Sequence, residues 1–556
     1  MKCTTINKAA FFSIILVSVF LSFEGNAQVK RDDSGEIEDA EIIIEKNREI
    51  ALPEANRNFE KITAPVRQPD PVLQQYQFIE RNAKLPDLNP RFRVLQMPTE
   101  PLKKLNGNYV KGGLGNYANT YLEGFFNSTR NSDYSYGLRF KHLAWGRGPV
   151  DKGNSGSSEN MIGVHGRYFL DALTAGASLE YSRERYNFYG YTPGKEVDKS
   201  DIKQVFNTIA LKTNFTSNNT KSPLDYRLDV GVINLSDAYK AREFEFGTQL
   251  KGSYTINENL KAQLNTDIFL TTRKDTASQS RNFVRLRPGI QYKMDVITLS
   301  AALNTVFEND TAKTDDNLHI YPVLQVEYLF MDKFTFFGGF EGDMQRTTLR
   351  QFVNENPWLA SNVALLHTNK ARDFYGGVKG DIGGGLSFAT RIAFTGYKNL
   401  YFFVNGNPDS TKFNTVYEND FTNVLNFTGE LGYTYNEKLR LGLKTGFYNY
   451  SLKNLEEAWH RPTFTATVLG SYNFNNKLFF NTEIYYLGGI TAKNFASNKK
   501  VDLDPILDLN IKGEYLFFDK FSAFLSFNNL LSSKYQRYLY YPSRGLNILA
   551  GLTYTF

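Results

Sequence analysis

The sequence predicts an all-β protein, a transmembrane antiparallel up-and-down β-barrel of about 22 strands, with about 20 as the alternative count. Phe and Tyr are abundant, at 45 and 34 residues, yet 22% of the chain is charged. From residue 106 onward, apolar and polar residues alternate over stretches of about ten residues, the length with which a tilted strand crosses a bilayer. The connectors between these stretches are alternately short and long. A helical membrane protein would instead need apolar runs of about 18 residues or more.

Residues 1–27 have the three parts of a secretory signal peptide. Lys2 and Lys8 precede the apolar core Ala9–Phe23, and a small-x-small cleavage site ends at Ala27. We therefore expect cleavage near Ala27 and export to the bacterial outer membrane. Cys3, the only cysteine, would be removed with this segment. The mature chain would then have no disulfide and no cysteine metal site.

Residues 28–105 predict an N-terminal arm that is acidic at first and then proline-rich. Eight prolines fall between positions 53 and 101. Because proline breaks helices and removes ladder hydrogen bonds, this region predicts a mostly extended periplasmic or lumen-lining arm. One acidic and β-branched segment of the arm could be captured by strand addition to a partner's sheet edge. That segment is Glu41, Ile42, Ile43, Ile44 and Glu45.

Within residues 106–556, seven short connectors contain Asn, Asp or Gly, which tolerate the backbone of tight hairpin turns. They lie at 257–259, 294–295, 331–333, 383–385, 436–438, 475–477 and 519–520. Aromatic residues beside them, such as Tyr435 and Phe474, are typical of an interfacial girdle. Longer connectors alternate with these turns, at about 147–157, 187–200, 235–241, 274–279, 309–315, 351–369, 402–419, 452–462, 493–502 and 533–543. This asymmetry predicts a periplasmic short-turn side and an extracellular long-loop side.

The alternation also predicts which side chains face lipid and which face a wet lumen. In 507–517 the apolar set begins at Leu507, and charged residues occupy intervening positions. A charge facing lipid near the midplane would cost about 2–4 kcal/mol, so the charged set should face inward. The predicted lumen-facing charges are Lys261, Asp267, Arg440, Lys444, Asp508, Lys512 and Glu514. A soluble β-sandwich is disfavoured by the strand length, by the signal peptide and by Phe556 at the end of the last strand.

No motif for catalysis, metal binding or nucleic-acid binding stands out. The net charge of +6 is mild for 556 residues and does not predict nucleic-acid binding. The histidines lack ligand spacing and are expected to be isolated surface or loop residues; they are His142, His165, His319, His367 and His460. We therefore expect no enzyme, no cofactor and no metal. An enzyme whose residues assemble from distant strands is a distant alternative.

Four tyrosines near the C-terminus form the one aromatic cluster that could contact a ligand. They could stack on a sugar or another planar ligand, or they could belong to a loop that packs against the aromatic girdle or folds into the barrel mouth. They are Tyr535, Tyr538, Tyr540 and Tyr541.

The segment from Asn529 to Phe556 resembles the final hairpin of TonB-dependent outer-membrane receptors. In that family this hairpin often reads Asn-Leu, Tyr, Tyr-Pro, Gly and a last strand that ends in Phe. The corresponding residues here are Asn529-Leu530, Tyr535, Tyr541-Pro542, Gly545 and Phe556. The family usually has Arg directly after the glycine, whereas here Arg544 precedes it. The strand count over residues 106–556 resembles the same family, and the general style resembles outer-membrane proteins of Bacteroidetes-type bacteria.

The resemblance implies that the protein mediates uptake or passage of a solute across the outer membrane. It also implies that residues 41–45 act as a TonB box. The family's plug is a larger folded domain than residues 28–105 could form, so the plug would be absent or reduced to a remnant. The expected partners are outer-membrane lipid, the barrel-assembly machinery, and TonB or a companion surface lipoprotein. The alternative function is a structural subunit of an outer-membrane secretion, assembly or surface-protein complex.

Overall fold

The computed structural model describes residues 106–556, apart from 193, 219–221, 311–316 and 495–496. Antiparallel strands follow one another around a ring, and each pairs with the next along the chain. The first strand pairs with both the second and the last, so the ring of 22 strands is closed. The predicted fold class and strand count are therefore confirmed. The predicted signal peptide, the arm and the segment 41–45 lie outside the described residues.

The barrel strands are numbered here in chain order. They are β1 (Asn108–Gly115), β2 (Asn119–Asn127), β3 (Tyr134–Trp145), β4 (Ser157–Phe169), β5 (Leu173–Asn187), β6 (Lys203–Ser217), β7 (Leu224–Asp237), β8 (Arg242–Thr255), β9 (Leu260–Lys274), β10 (Phe283–Met294), β11 (Ile297–Glu308), β12 (Leu318–Phe330), β13 (Phe334–Gln345), β14 (Thr368–Gly383), β15 (Leu386–Lys398), β16 (Thr422–Tyr435), β17 (Leu439–Ser451), β18 (Phe464–Phe474), β19 (Leu478–Gly488), β20 (Ile506–Phe518), β21 (Phe521–Asn528) and β22 (Asn547–Thr555). Each side chain alternates between the two faces of its strand, so one register positions a whole face.

The closing seam brings the two ends of the barrel chain together. The Phe556 amide donates a hydrogen bond to the Asn108 carbonyl oxygen at 3.0 Å. The Phe556 ring packs against Tyr554 and Phe126, with ring centroids 5.2 and 6.1 Å apart. The C-terminal aromatic residue therefore lies at the short-turn end, beside the start of β1.

The short turns fall where the sequence predicts them. Asn436, Asn475 and Asn476 have positive φ angles of 49°, 53° and 56°, and Gly384 has 64°. These are left-handed conformations that Asn and Gly adopt at low cost. The turns lie at one end of the barrel, and the long connectors lie at the other.

The outer surface of the barrel is apolar. On β20, Leu507, Tyr515 and Phe517 are 42%, 49% and 39% exposed, whereas Asp508 between them is only 4% exposed. The neighbouring strands repeat this alternation, and in a bilayer the exposed apolar face would contact lipid.

Several long connectors contain secondary structure of their own. The one after β13 carries the helix α1 (Leu349–Glu355), and the one after β3 carries a 3₁₀ turn at Lys152–Ser155. A second 3₁₀ turn, Asn116–Ala118, forms the short connector between β1 and β2. A short strand, Ser278–Ser280, pairs with the end of β9 within the barrel sheet. Short strands outside that sheet are Leu400–Asn405, Phe413–Glu418, Thr491–Asn494, Lys499–Asp502, Gln536–Tyr538 and Tyr541–Pro542. No helix among the described residues is both long and apolar enough to cross a membrane.

Candidate functional site

Five long connectors pack against one another at one end of the barrel, and we call this assembly the loop cap. It comprises residues 188–202 (apart from 193), 346–367, 399–421, 452–463 and 529–546. At its centre, the ring centroids of Trp358 and Tyr541 are 4.0 Å apart, and those of Tyr189 and Tyr541 are 4.8 Å apart. Apolar side chains buried around these rings include Leu349, Phe352, Val353, Leu359, Phe403, Phe413 and Tyr538. The cap therefore has a hydrophobic core of its own.

The three central rings come from connectors spread almost evenly around the barrel. Tyr189 follows β5, Trp358 follows β13 and Tyr541 follows β21. The attachment points are thus eight, eight and six strands apart around the ring. Connectors that start from three well-separated positions on the ring can meet only over the lumen, and not beside a single part of the barrel wall. The aromatic cluster therefore crosses the mouth of the barrel.

A carboxylate on the barrel holds the helix α1 in place. Glu243 of β8 accepts hydrogen bonds from the backbone N–H groups of Leu349 and Arg350, at 2.7 and 3.2 Å. The Thr348 hydroxyl oxygen caps the same end by accepting from the Gln351 N–H at 3.1 Å. Negative charge at a helix N-terminus is favourable, and these contacts satisfy backbone donors that the helix leaves unpaired.

His460 joins three connectors of the cap. Its Nδ1 donates a hydrogen bond to the Phe403 carbonyl oxygen at 2.8 Å, and its Nε2 accepts one from the Leu539 N–H at 3.2 Å. Its side chain is 2% exposed. Burial, with a smaller contribution from Arg537, lowers the pKa of His460 to about 4. The ring is therefore neutral at physiological pH, as its acceptor role requires.

A second polar cluster lies where the connector after β13 meets the ends of β10 and β11. Arg281 donates to Asp310 Oδ1 at 2.7 Å, to the Thr347 carbonyl oxygen at 2.9 Å and to His367 Nδ1 at 3.1 Å. The side chains of Arg281 and Asp310 are 1% and 2% exposed. Burial, and next the charge of Arg281, lower the pKa of His367 to about 4.

The carboxylates of this cluster have the composition of a metal site but not its arrangement. Ligand-type atoms of Glu308, Asp310 and His367 lie within 4.8 Å of one another. However, the lone pair of His367 Nδ1 already accepts from Arg281 and from the Thr347 N–H. The guanidinium also places a positive charge where a cation would bind. This chemistry is that of a buried ion pair.

The prediction of surface or loop histidines holds only in part for two of them. His367 and His460 do lie in connectors, but they are buried at 3% and 2% exposure and are not surface residues. His367 is also part of a cluster and is not isolated. Their burial was not predicted, because partners such as Arg281 for His367 and Phe403 for His460 lie 86 and 57 positions away in the chain, beyond any spacing motif.

The predicted lumen charges form two separate groups in the structure. On β9, Asp267 pairs with Arg285 of β10 at 2.7 Å. On β20, which is eleven strands after β9 in the chain, Glu514 pairs with Lys111 at 3.2 Å and with Lys512 at 3.4 Å. Asp267 and Arg285 lie on neighbouring strands, whereas the Lys111–Glu514 pair reaches from β1 past β22 and β21 to β20. The two groups do not converge on one site.

The remaining predicted charges have different surroundings. Asp508 accepts hydrogen bonds from the hydroxyls of Tyr485 and Tyr535, at 2.9 and 2.5 Å. Lys444 pairs with Glu430 at 3.2 Å in an open position. Lys261 and Arg440 have no ion-pair partner within the described part of the chain.

The C-terminal tyrosines are mostly used for packing. Tyr538 and Tyr541 are 5% and 3% exposed in the core of the cap, and Tyr535 bonds to Asp508. This arrangement fits the alternative of a loop folded into the barrel mouth. Tyr540 lines a surface depression together with Tyr191 and Pro408, and it is the member whose position leaves room for a ligand.

The residues that organise the cap were not found by sequence reasoning. Trp358 contacts Asn187, Glu243 contacts Leu349 and Arg281 contacts Thr347, at separations of 171, 106 and 66 positions in the chain. The available signal is the position of Trp145, Trp358 and Trp459 in or beside long connectors. Tryptophan in a predicted loop indicates a loop with a packed interior.

No family model and no curated protein matches the sequence. Solved structures do match. The FrpB iron transporter from Neisseria meningitidis (F3-3 variant) superposes with a TM-score of 0.64 at 12% identity, covering 82% of each chain. The siderophore receptor PirA from Acinetobacter baumannii has a TM-score of 0.63 at 12% identity, covering 82% of this chain and 81% of PirA. The ferric-catecholate import receptor Fiu from K12 E. coli has a TM-score of 0.61 at 10% identity, covering 82% of each chain.

The chain has the barrel fold of these receptors. The resemblance to TonB-dependent receptors that residues 529–556 predict is thereby confirmed at the level of the fold. The names of these three structures describe them as a transporter or as receptors.

Proposed function

We propose that the protein is an outer-membrane receptor that takes up a solute through its barrel. The observation that carries the proposal is the meeting of three distant connectors over a lumen enclosed by 22 strands. A ring of this size is too wide for its wall side chains to fill. The loop cap therefore controls access from the long-connector side. The import function of receptors with the same fold supports this direction of transport.

The energy for uptake would come from TonB, which engages residues 41–45 by strand addition. In this proposal the barrel-assembly machinery inserts the chain after signal-peptide cleavage near Ala27, and lipid covers the apolar outer face. The lumen charges on β9, β17 and β20 keep the passage hydrated. Deleting residues 36–50 should abolish capture of the purified periplasmic domain of TonB. Undiminished capture would contradict this part of the proposal.

A cross-link across the cap tests whether it gates uptake. The ring centroids of Tyr189 and Trp358 are 5.7 Å apart, and Cys3 is the only natural cysteine. Cells carrying both Tyr189→Cys and Trp358→Cys are treated with a short bismaleimide and supplied with labelled ferric chelates and neutral saccharides. We expect accumulation of at least one solute class, lost only in the cross-linked double variant.

The two single-cysteine variants, treated in the same way, are the matched controls. Uptake that continues through the cross-linked cap would overturn the gating proposal. Accumulation no greater than in cells lacking the protein, together with a stoichiometric partner in native-membrane purifications, would favour the structural-subunit function instead.

A further inference from the structure

A small cavity lies beneath the loop cap, against the barrel wall. Its volume is about 190 Å³. Its wall is made by side chains of β14 to β17, and its roof by Gln351 of α1, Tyr401 and Arg461. We propose that this cavity binds one neutral, hydroxyl-rich ring, such as a terminal pyranose unit of a saccharide.

The cavity opens on the inner face of the barrel. On β16, Leu425 and Phe427 are 42% and 47% exposed on the apolar outer face, so Asn426 between them points inward. On β17, the exposed Phe447 likewise places Tyr448 and Tyr450 on the inner face. A ligand bound here would lie between the lumen wall and the cap.

Polar groups in the cavity lack partners. Asn426 is only 9% exposed, and its carboxamide oxygen has no hydrogen-bond partner in the described part of the chain. The hydroxyls of Tyr448 and Tyr450 on the adjoining strand also lack one there. Leaving a buried group such as the Asn426 oxygen unpaired costs about 1–3 kcal/mol, and folded proteins rarely do so. The two tyrosine hydroxyls belong to half-buried residues and are accessible from the cavity. These groups are therefore placed to bind a molecule that supplies both donors and acceptors.

The cavity carries no uncompensated charge. Among the described residues, Arg461 is the one charged residue that lines it. Its guanidinium lies 3.5 Å from a Glu355 carboxylate oxygen and donates to the Tyr401 carbonyl oxygen at 3.3 Å. With this charge already paired, an anionic or cationic ligand would be desolvated without a counter-ion. A neutral ligand avoids that cost.

The size and the lining chemistry point to a single saturated ring. A cavity of about 150 Å³ can hold benzene, so this one accepts one six-membered ring with little spare room. Carboxamides and hydroxyls both donate and accept, as the hydroxyls of a pyranose do. The near-parallel rings of Tyr448 and Tyr450, with centroids 6.4 Å apart, add flat apolar surface for its C–H face.

A ligand in this cavity would touch the wall and the roof at once. It would bind the closed cap and stabilise it by mass action. The inference names a ligand class for the proposed uptake and rests on that function for its physiological role. Binding to the purified protein and uptake by cells are separate measurements, so either can fail alone.

The test is saturation-transfer NMR on the purified full-length chain in lauryldimethylamine oxide, a detergent without a sugar headgroup. The neutral probes are the methyl pyranosides of glucose, galactose, mannose and N-acetylglucosamine. Glucuronate, glucosamine and catechol are the anionic, cationic and planar aromatic comparisons. We expect at least one neutral pyranoside to bind and the three comparison compounds not to.

Asn426→Leu keeps the side-chain shape and removes the amide, so affinity should fall about tenfold, the equivalent of one hydrogen bond. Asn265→Leu on β9, seven strands away, is the matched control and should bind as the wild type does. Tyr448→Phe removes a single hydroxyl and gives the same test if Asn426→Leu fails to fold. The proposal is overturned if no neutral pyranoside binds, or if a charged or planar probe binds preferentially. It is also overturned if both cavity variants bind with the same affinity as the wild type.

Discussion

At the scale of single residues, the loop cap depends on buried polar groups that each join several segments. His460 connects Phe403 and Leu539, and Arg281 connects Asp310, Thr347 and His367. A buried hydrogen bond is stronger than an exposed one, and an unpaired partner is costly. The cap should therefore respond sharply to changes at these positions and weakly to changes on its surface.

Acidification should loosen the cap through its two buried histidines. The pKa of His460 and of His367 is about 4 in the folded cap, against about 6.5 for an unfolded histidine. Between these values the unfolded cap binds protons that the folded cap does not. Cap stability is therefore complete above pH 6.5 and falls as the pH drops to 4, by up to about 3 kcal/mol per histidine.

Tryptophan fluorescence measures this effect, because all three tryptophans lie at the cap end. In denaturant titrations of the wild type, the free energy of unfolding of the cap should be lower at pH 5 than at pH 7. His460→Gln, which keeps a donor and an acceptor, should lose about half of that difference. An equal pH dependence in the wild type and in a double variant of both histidines would refute the prediction.

Replacing Arg281 by methionine should destabilise the cap by about 3–5 kcal/mol, because it leaves the buried Asp310 carboxylate without its counter-ion. The matched control is Arg227→Met. The Arg227–Asp229 pair is 56% and 32% exposed, so its loss should cost at most about 1 kcal/mol. The same fluorescence titration reports both, and similar shifts for the two variants would contradict the assignment of Arg281 as a cap anchor.

At the scale of elements, α1 shows how a short helix persists inside a connector. Seven residues are too few for a helix to be stable alone. Leu349, Phe352 and Val353 face the core of the cap, and Glu243 and Thr348 satisfy the first backbone donors. The helix therefore exists because the barrel and the cap hold both its apolar face and its N-terminus.

Removing these end contacts should unravel α1 while the barrel stays intact. Thr348→Ala should cost about 1 kcal/mol, and Glu243→Ala about 1–3 kcal/mol because two N–H groups lose their acceptor. Hydrogen exchange of residues 349–355 should accelerate accordingly. Glu258→Ala in an exposed short turn is the control. Unchanged protection of α1 in Glu243→Ala would show that packing alone holds the helix.

At the scale of the whole barrel, closure depends on close approach of β1, β21 and β22. Gly551 lies against the Gly112 carbonyl oxygen, and a Cβ at Gly551 would also lie 2.6 Å from the Phe524 ring. Lys111 of β1 pairs with Glu514 of β20, so an ion pair spans the same region. The seam is the one place where strands distant in the chain must meet in register.

Gly551→Ala should therefore impair barrel closure, whereas Gly112→Ala should be tolerated, since the nearest atom to its added Cβ is 3.7 Å away. Both glycines lie on facing strands of the seam, so the pair is well matched. Heat-modifiable mobility of the membrane fraction on SDS gels measures the folded population. Equal folded fractions for the two variants would refute the steric account.

The sequence by itself determined the barrel, because strand length, face and turn position are local properties. The alternation on β20 was sufficient to predict the faces of that strand, and the Asn and Gly residues were sufficient to predict the short turns. The final hairpin from Asn529 to Phe556 identified the resemblance, which the fold comparison confirms.

Only the tertiary structure decided what covers the lumen. The loop cap is made by contacts such as Trp358 with Asn187 and Tyr538 with Glu355, which are 171 and 183 positions apart in the chain. No periodic pattern records such contacts, because they depend on where the closed ring anchors each connector. The same ring buries the connector residues His367 and His460, and it brings Asn426 beneath the cap with its carboxamide oxygen unpaired.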